Sequence, residues 1–230
     1  VVELFSVQPD GVGRTKISQT LVANGNVSDW SVAESTGRIA YLADAETDTV
    51  VELYAVDADG SDHFKLNGTL VANGLVHSMA GAPDGSRVAY RADETTDDDI
   101  ELFSVLPDGT AGPKLNGTLV TSGDVLSFEW SPNGAFVSFV ADQDTDSVNE
   151  LFAVQPDGTG LAKLNGAMIA AGDVSNVFWS PSSGRVAYLA DQEVNGQLEL
   201  YAANPDGTAQ AKLSGSMVTN GDVLTASVAW

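Results

Sequence analysis

The sequence predicts an all-β chain, a five-bladed β-propeller of four-stranded antiparallel blades. Three observations carry that prediction: a repeat of constant period, four strand-like segments in each repeat, and no stretch with helical periodicity over several turns. Glu-Leu recurs at Glu3, Glu52, Glu101, Glu150 and Glu199, always 49 residues apart. A glycine before an apolar run keeps the same spacing at Gly25, Gly74, Gly123, Gly172 and Gly221. So does a lysine, at Lys16, Lys65, Lys114, Lys163 and Lys212. Three markers hold one register without insertion or deletion.

The elements can be read in order in residues 123–171. Val125 to Trp130 is an apolar run closed by Ser-Pro-Asn-Gly, a turn tetrad. Ala135 to Ala141 is rich in β-forming residues. An acidic loop follows, then Leu151 to Val154, then the turn Pro156-Asp157-Gly158-Thr159. Ala162-Lys-Leu-Asn-Gly166 reads as a short outer strand. Four strands per 40- to 50-residue unit is the propeller pattern, and the end units look like the middle ones, as a closed ring requires and a capped solenoid does not.

One domain is expected over 1–230, with units at 1–24 (partial), 25–73, 74–122, 123–171, 172–220 and 221–230 (partial). Five full units would need 245 residues, 15 more than the 230 present, which corresponds to one second strand. The closing blade is expected to combine Leu224–Val228 with Leu4–Val7 and the Lys16 strand, so that both termini share a blade and an open sheet edge is removed. The missing strand either precedes Val1 or is lost, and the phase of the ends raises a larger chain or a surface assembly as a further possibility.

Lys and Arg total 10 against 32 Asp and Glu, a net charge of −22. Such a surface repels nucleic acid and anionic lipid. It suits basic partners, divalent cations or simple solubility. No apolar run is long enough for a transmembrane helix, so membrane insertion is not expected. Without cysteine there are no disulfides, zinc thiolates or thiol nucleophiles. Of the sequons at Asn26, Asn67 and Asn116, the last two sit in a repeated Asn-Gly-Thr and read as turn chemistry.

Trp130-Ser-Pro-Asn-Gly, Gly184-Arg-Val-Ala-Tyr-Leu-Ala-Asp and Glu199-Leu-Tyr-Ala-Ala-Asn-Pro-Asp-Gly-Thr resemble the TolB-type, WD-like propeller repeats of bacterial envelope and secreted proteins. The resemblance covers the whole chain. It implies the propeller fold and an extracytoplasmic location, while propellers of this kind serve as docking domains, lyases and peptidase gates alike. The longer acidic loop and the Lys-Leu-Asn-Gly segment depart from the usual pattern.

In that loop, Asp142, Asp144, Asp146 and Glu150 fall at positions 1, 3, 5 and 9. The same positions hold Asp44, Glu46, Asp48 and Glu52; Asp93, Thr95, Asp97 and Glu101; and Asp191, Glu193, Asn195 and Glu199. Ca2+ takes six to eight oxygens at about 2.3–2.6 Å, and alternate residues of a tight loop can supply them. The spacing resembles the Asp-x-Asp-x-Asp-Gly-x-x-Asp loops of integrin-type propellers, although only Gly196 supplies the glycine of position 6, against Thr49, Asp98 and Ser147. Three carboxylates in one loop repel one another, and a bound cation would offset that cost. Ca2+ is therefore the expected cofactor, the alternative being a solvated acidic hairpin. Bound Ca2+ is expected to raise the melting temperature, and chelator to lower it.

Trp130 and Trp179 stand where other units have Val32, Gly81 and Val228, and inter-blade packing is the favoured reading over ligand stacking. Gly81 is expected to leave a gap. Arg91 replaces Leu42, Val140 and Leu189, with a local ion pair expected over an anion site. His63 and His77 have no repeated partner. No nucleophile elbow, phosphate loop or dinucleotide fingerprint occurs. No catalytic or organic-cofactor residue is expected, because the interesting chemistry is repeated whereas a catalytic site is unique. The favoured function is an extracytoplasmic module, binding or structural, that contacts a protein or glycan partner. The alternative is the propeller domain of a secreted carbohydrate- or peptide-processing enzyme.

Overall fold

The structure is a computed structural model that describes residues 1–33, 36–218 and 221–223. The chain divides into two compact units, Val1–Lys114 and Leu115–Trp230. Every described element is a β-strand, and each sheet is an antiparallel meander in chain order.

The first unit opens with a two-stranded sheet, β1 (Phe5–Ser6) and β2 (Thr15–Lys16). A four-stranded sheet follows: β3 (Val27–Ala33), β4 (Arg38–Ala43), β5 (Glu52–Val56) and β6 (Phe64–Lys65). The third sheet has β7 (Val76–Gly81), β8 (Val88–Ala92) and β9 (Glu101–Val105). Its expected fourth strand shrinks to one bridge, Phe103 to Lys114. The reason is Pro113: Ser104 N–H reaches the Pro113 carbonyl at 3.0 Å, but proline has no N–H to return and the ladder stops.

The second unit holds two four-stranded sheets. One is β10 (Val125–Trp130), β11 (Val137–Ala141), β12 (Glu150–Val154) and β13 (Ala162–Lys163); the other is β14 (Val174–Trp179), β15 (Val186–Ala190), β16 (Glu199–Ala203) and β17 (Ala211–Lys212). Leu224–Val228, the expected first strand of a closing blade, lies outside the described residues.

In the four larger sheets the second and third strands are mostly buried on both faces, which is why they read as continuous apolar runs rather than alternating ones. Each pair is pinned by a cross-strand aromatic stack: Tyr41 on Tyr54 at 5.5 Å, Tyr90 on Phe103 at 5.4 Å, Phe139 on Phe152 at 5.2 Å and Tyr188 on Tyr201 at 5.6 Å. Tyr188 is fully buried, which pushes its hydroxyl pKa up to about 12. The first strand of each of the four larger sheets carries a bulge at the same place, between Val27 and Asp29, Val76 and Ser78, Val125 and Ser127, and Val174 and Asn176. A bulge adds a residue and re-aims the side chains after it.

Among the described residues no helix is long and apolar enough to cross a membrane. The sequon residues Asn67 and Asn116 are buried, and each amide donates to the next carbonyl at 2.9 Å. Asn67 also accepts the Leu53 N–H, so it is a turn residue turned inward.

Candidate functional site

The acidic loops join the second and third strands of each of the four larger sheets. Position 1 acts as a cap. Its Oδ1 accepts a backbone N–H from the start of the first strand: Asn26 to Asp44 at 2.5 Å, Leu75 to Asp93 at 2.6 Å, Asp124 to Asp142 at 2.5 Å and Asp173 to Asp191 at 2.5 Å. Its Oδ2 accepts the N–H of position 6, from Thr49 at 3.1 Å, Ser147 at 3.4 Å and Gly196 at 2.7 Å. Burial works against ionisation of Asp44, but its backbone donors outweigh that and hold the carboxyl below its ordinary value.

The repeated glycine is explained by the same corner. A Cβ on Gly25, Gly74 or Gly123 would lie 2.5 Å from the carbonyl oxygen of Asp44, Asp93 or Asp142. The chain must pass that close for the cap to form. Position 6 is left-handed in all four loops, with φ of +71° at Thr49, +66° at Asp98, +60° at Ser147 and +75° at Gly196. The glycine of the integrin-type pattern is thus a backbone requirement that three other residues meet under strain. Thr49, being β-branched, is the most strained. Thr49→Gly is expected to raise the melting temperature by on the order of 2–4 °C in a circular-dichroism melt, and a lower value would contradict the strain.

Positions 3 and 9 meet a lysine. The ammonium of Lys65 bonds Glu52 at 2.8 Å and Glu46 at 2.8 Å; that of Lys212 bonds Glu199 at 2.6 Å and Glu193 at 3.0 Å. Lys163 pairs with Glu150 and reaches Asp144 at 3.2 Å, Lys114 pairs with Glu101 at 2.6 Å, and Lys16 pairs with Glu3. The spacing from glutamate to lysine is 13 residues each time, so two of the three repeat markers are the halves of one ion pair. Thr95, the exception at position 3, donates its hydroxyl to Glu101 at 2.6 Å. Position 5 turns outward: Asp48 and Asp97 accept the side-chain amides of Asn24 at 3.4 Å and Asn73 at 3.2 Å, while Asp146 and Asn195 are exposed.

The four loop positions therefore do not converge. Position 1 is committed to backbone donors, 3 and 9 to lysine, and 5 to solvent or asparagine. Among the described residues no group of three or more histidines, aspartates or glutamates could hold a metal ion. This arrangement fits Ca2+ poorly, and the repulsion between carboxylates is offset by the lysine ammonium instead.

The remaining candidates find local partners. Trp179 stacks on Phe136 at 6.3 Å and donates its indole N–H to Ser138 at 2.9 Å, which is packing against the preceding sheet. The gap beside Gly81 is a cavity of only about 10 Å³, narrowed by Ser31, Arg38 and Arg87. Arg91 donates from Nε to Ser78 at 3.0 Å, and His77 lies 3.4 Å from Asp93. His63 is exposed.

One site was not visible in the repeat. In the second unit, β10, β11 and β14 enclose a recess of about 160 Å³ lined by Ser127, Glu129, Ser138, Ser175 and Asn176 over a floor that includes Phe139 and Val140. Burial holds the Glu129 carboxyl above the ordinary carboxylate value, and it meets no hydrogen-bond donor among the described residues. Other units have Ser31, Ala80 and Phe178 at this position. The available signal was a carboxylate at a position where the other units have none.

No known family profile matches the chain, and no curated protein does. Solved structures do. The chain is similar to a putative TolB from Agrobacterium tumefaciens (16% identity, 92% of this chain and 80% of that one, TM-score 0.53). It is similar to dipeptidyl peptidase 4 from Porphyromonas gingivalis (13%, 92% and 38%, TM-score 0.66) and to oligogalacturonate lyase from Vibrio parahaemolyticus (13%, 96% and 64%, TM-score 0.57). It thus spans well under half of the peptidase and just under two thirds of the lyase. At these identities the likeness shows the fold alone: the antiparallel sheets of this chain are those of a β-propeller fold.

Proposed function

We propose that the chain is an extracytoplasmic, non-enzymatic propeller that binds a glycan or a protein side chain through the polar recess of its second unit. The observation that carries this reading is the single-copy Glu129 in a recess with three hydroxyls and the Asn176 amide. Donors and acceptors at fixed positions over an apolar floor suit a hydroxyl-rich ligand, and a volume near 160 Å³ accommodates about one sugar ring. The extracytoplasmic placement follows the resemblance to TolB-type repeats. The loop carboxylates have structural partners, so the chemistry left for recognition is that of the recess and of the acidic outer surface.

Glycan-array screening followed by calorimetry tests the proposal. Glu129→Gln and Asn176→Ala are each expected to weaken the selected ligand at least tenfold. Ligand hydroxyls donate to the ionised carboxylate, so affinity is expected to fall as pH drops through the raised pKa of Glu129. Unchanged affinity in both variants would sink the assignment. A second reading, the propeller part of a carbohydrate- or peptide-processing enzyme, draws on the peptidase and lyase among the similar structures. Turnover of an oligosaccharide or peptide by the full chain, abolished by Glu129→Gln, would replace binding with catalysis.

A further inference from the structure

A second recess, of about 240 Å³, lies in the first unit between the second and third sheets, with Leu66, Phe103 and Val105 as its apolar part. Residues that depart from their equivalents in the repeat open it. Phe64 stands where the other outer segments carry Thr15, Pro113, Ala162 and Ala211. The turn glycine of the next sheet packs on its ring: a Cβ at Gly109 would lie 3.3 Å from it. The equivalent glycines pack on a lysine carbonyl instead, with a Cβ at Gly60 3.3 Å from that of Lys16 and one at Gly207 2.9 Å from that of Lys163. Gly112 stands where other units carry Arg14, His63, Leu161 and Gln210. A Cβ there would lie 1.8 Å from the Ser104 carbonyl oxygen, so the segment accepts no side chain. In the second unit the Gln210 amide crosses to the preceding sheet and donates to the carbonyls of Lys163 and Asn165, both at 3.4 Å. The equivalent carbonyls belong to Lys65 and Asn67, which line the recess, and Gly112 sends no side chain to them.

The last departure is a charge. Gln143 and Gln192 each accept the N–H of the glycine that ends the preceding outer segment, from Gly117 at 2.6 Å and from Gly166 at 3.0 Å. That latch needs one acceptor, and a neutral amide serves it. Glu94 makes the same bond to Gly68 at 2.7 Å and also takes the Tyr90 hydroxyl at 2.9 Å, both on Oε1. Its Oε2, standing in place of an amide nitrogen, meets no donor among the described residues. Burial outweighs the two hydrogen bonds and holds the carboxyl above its ordinary value. The charge therefore opposes burial and adds nothing that the latch requires. The lysines of the lining do not neutralise it: Lys65 is held between Glu46 and Glu52, and Lys114 by Glu101. Two ammoniums against four carboxylates leave the recess negative.

We propose that this recess binds a guanidinium group, delivered by an arginine side chain of a partner protein. The Glu94 Oε2 and the carbonyls of Lys65 and Asn67 are acceptors, and a planar fork of N–H donors matches such a set better than a compact ammonium does. The apolar part of the recess covers the methylene stem. The net charge of −22 draws a basic segment toward the surface, and the recess gives its arginine a fixed place to bond. This site shares no residue with the Glu129 recess, so each stands or falls without the other.

The test uses the full 230-residue chain and the capped tripeptide acetyl-Gly-Arg-Gly-amide, followed by amide-resolved NMR. Expected is a saturable shift of the Gly68 amide, which donates to Glu94. The same peptide with citrulline, which keeps the shape and loses the charge, is expected to bind at least tenfold more weakly. Glu94→Gln preserves the latch that Gln143 and Gln192 make, and is expected to weaken the arginine peptide at least tenfold without lowering the melting temperature. Asp146→Asn removes an equal charge from an exposed position and is expected to leave binding unchanged. Equal weakening by the two variants would mean that the peptide follows the overall field, and overturns the proposal. Equal binding of a lysine peptide overturns it too, as does an unmoved Gly68 amide at millimolar arginine peptide. Tighter binding of propylguanidine than of the tripeptide would assign the site to a small molecule and overturns the protein partner.

Discussion

Replacing Lys163 with methionine is expected to destabilise the second unit by about 2–4 kcal/mol, a fall in melting temperature on the order of 5–15 °C. The ammonium sits between Glu150, whose side chain is 3% exposed, and Asp144. Methionine keeps most of the stem's packing but leaves a carboxylate buried beside an acidic loop. The figure lies below the roughly 3–5 kcal/mol for breaking a fully buried pair because the lysine itself is one-third exposed. Lys163→Met with Glu150→Gln is expected to recover most of the loss, since the charge that needed the lysine is gone. Restoration of the single variant by Ca2+ would show instead that a metal can take the ammonium's place and would reopen the loops as cation sites.

The same clamp sets an alkaline limit. Burial works against the charge of Lys163, but its bonds to Glu150 and Asp144 outweigh that and raise its pKa; Lys65 behaves alike with Glu46 and Glu52. A group with a raised folded-state pKa stabilises fully below its unfolded value, about 10.4 for lysine, and loses that contribution as pH climbs through the folded value. Stability of the native chain is therefore expected to decline more steeply above about pH 10.4 than that of Lys163→Met. Parallel declines would contradict the clamp.

The second large effect concerns the cap. Asp142→Ala removes the acceptor of two backbone N–H groups, those of Asp124 and Ser147, and the latter belongs to a residue already in the left-handed region. Hydrogen bonds to a charged acceptor contribute about 1.5–3 kcal/mol each, so a loss of about 3–5 kcal/mol is expected. Asp142→Asn keeps one acceptor oxygen and is expected to lose roughly half as much. Urea denaturation measures both. Equal losses in the two variants would mean that charge, and not the pair of hydrogen bonds, is what the loop requires.

Much of the architecture was legible because its causes are local. Turn chemistry at Pro156-Asp157-Gly158-Thr159 and the apolar runs of Ala135 to Ala141 and Leu151 to Val154 define strands whatever lies next to them. The shortened third sheet was also encoded, in Pro113, though its effect appears only when the partner strand is known. The acidic loops were located correctly, but spacing along the chain does not say where carboxylates point. Their actual partner, a lysine 13 residues beyond the glutamate, comes from the outer strand, and antiparallel register brings it there. The repeat exposed both halves of that ion pair without joining them.

By itself the sequence determined the 49-residue period, most of the described strands, their turn residues and the place of the acidic loops, since alternation and turn preference act over a few neighbouring residues. Only the tertiary structure decided that the loop carboxylates meet a lysine, that Glu129 faces a recess, and that Trp179 packs on the preceding sheet. Those three depend on which strand lies beside which, and on how far each side chain is removed from water. Neither quantity can be read from spacing along one chain.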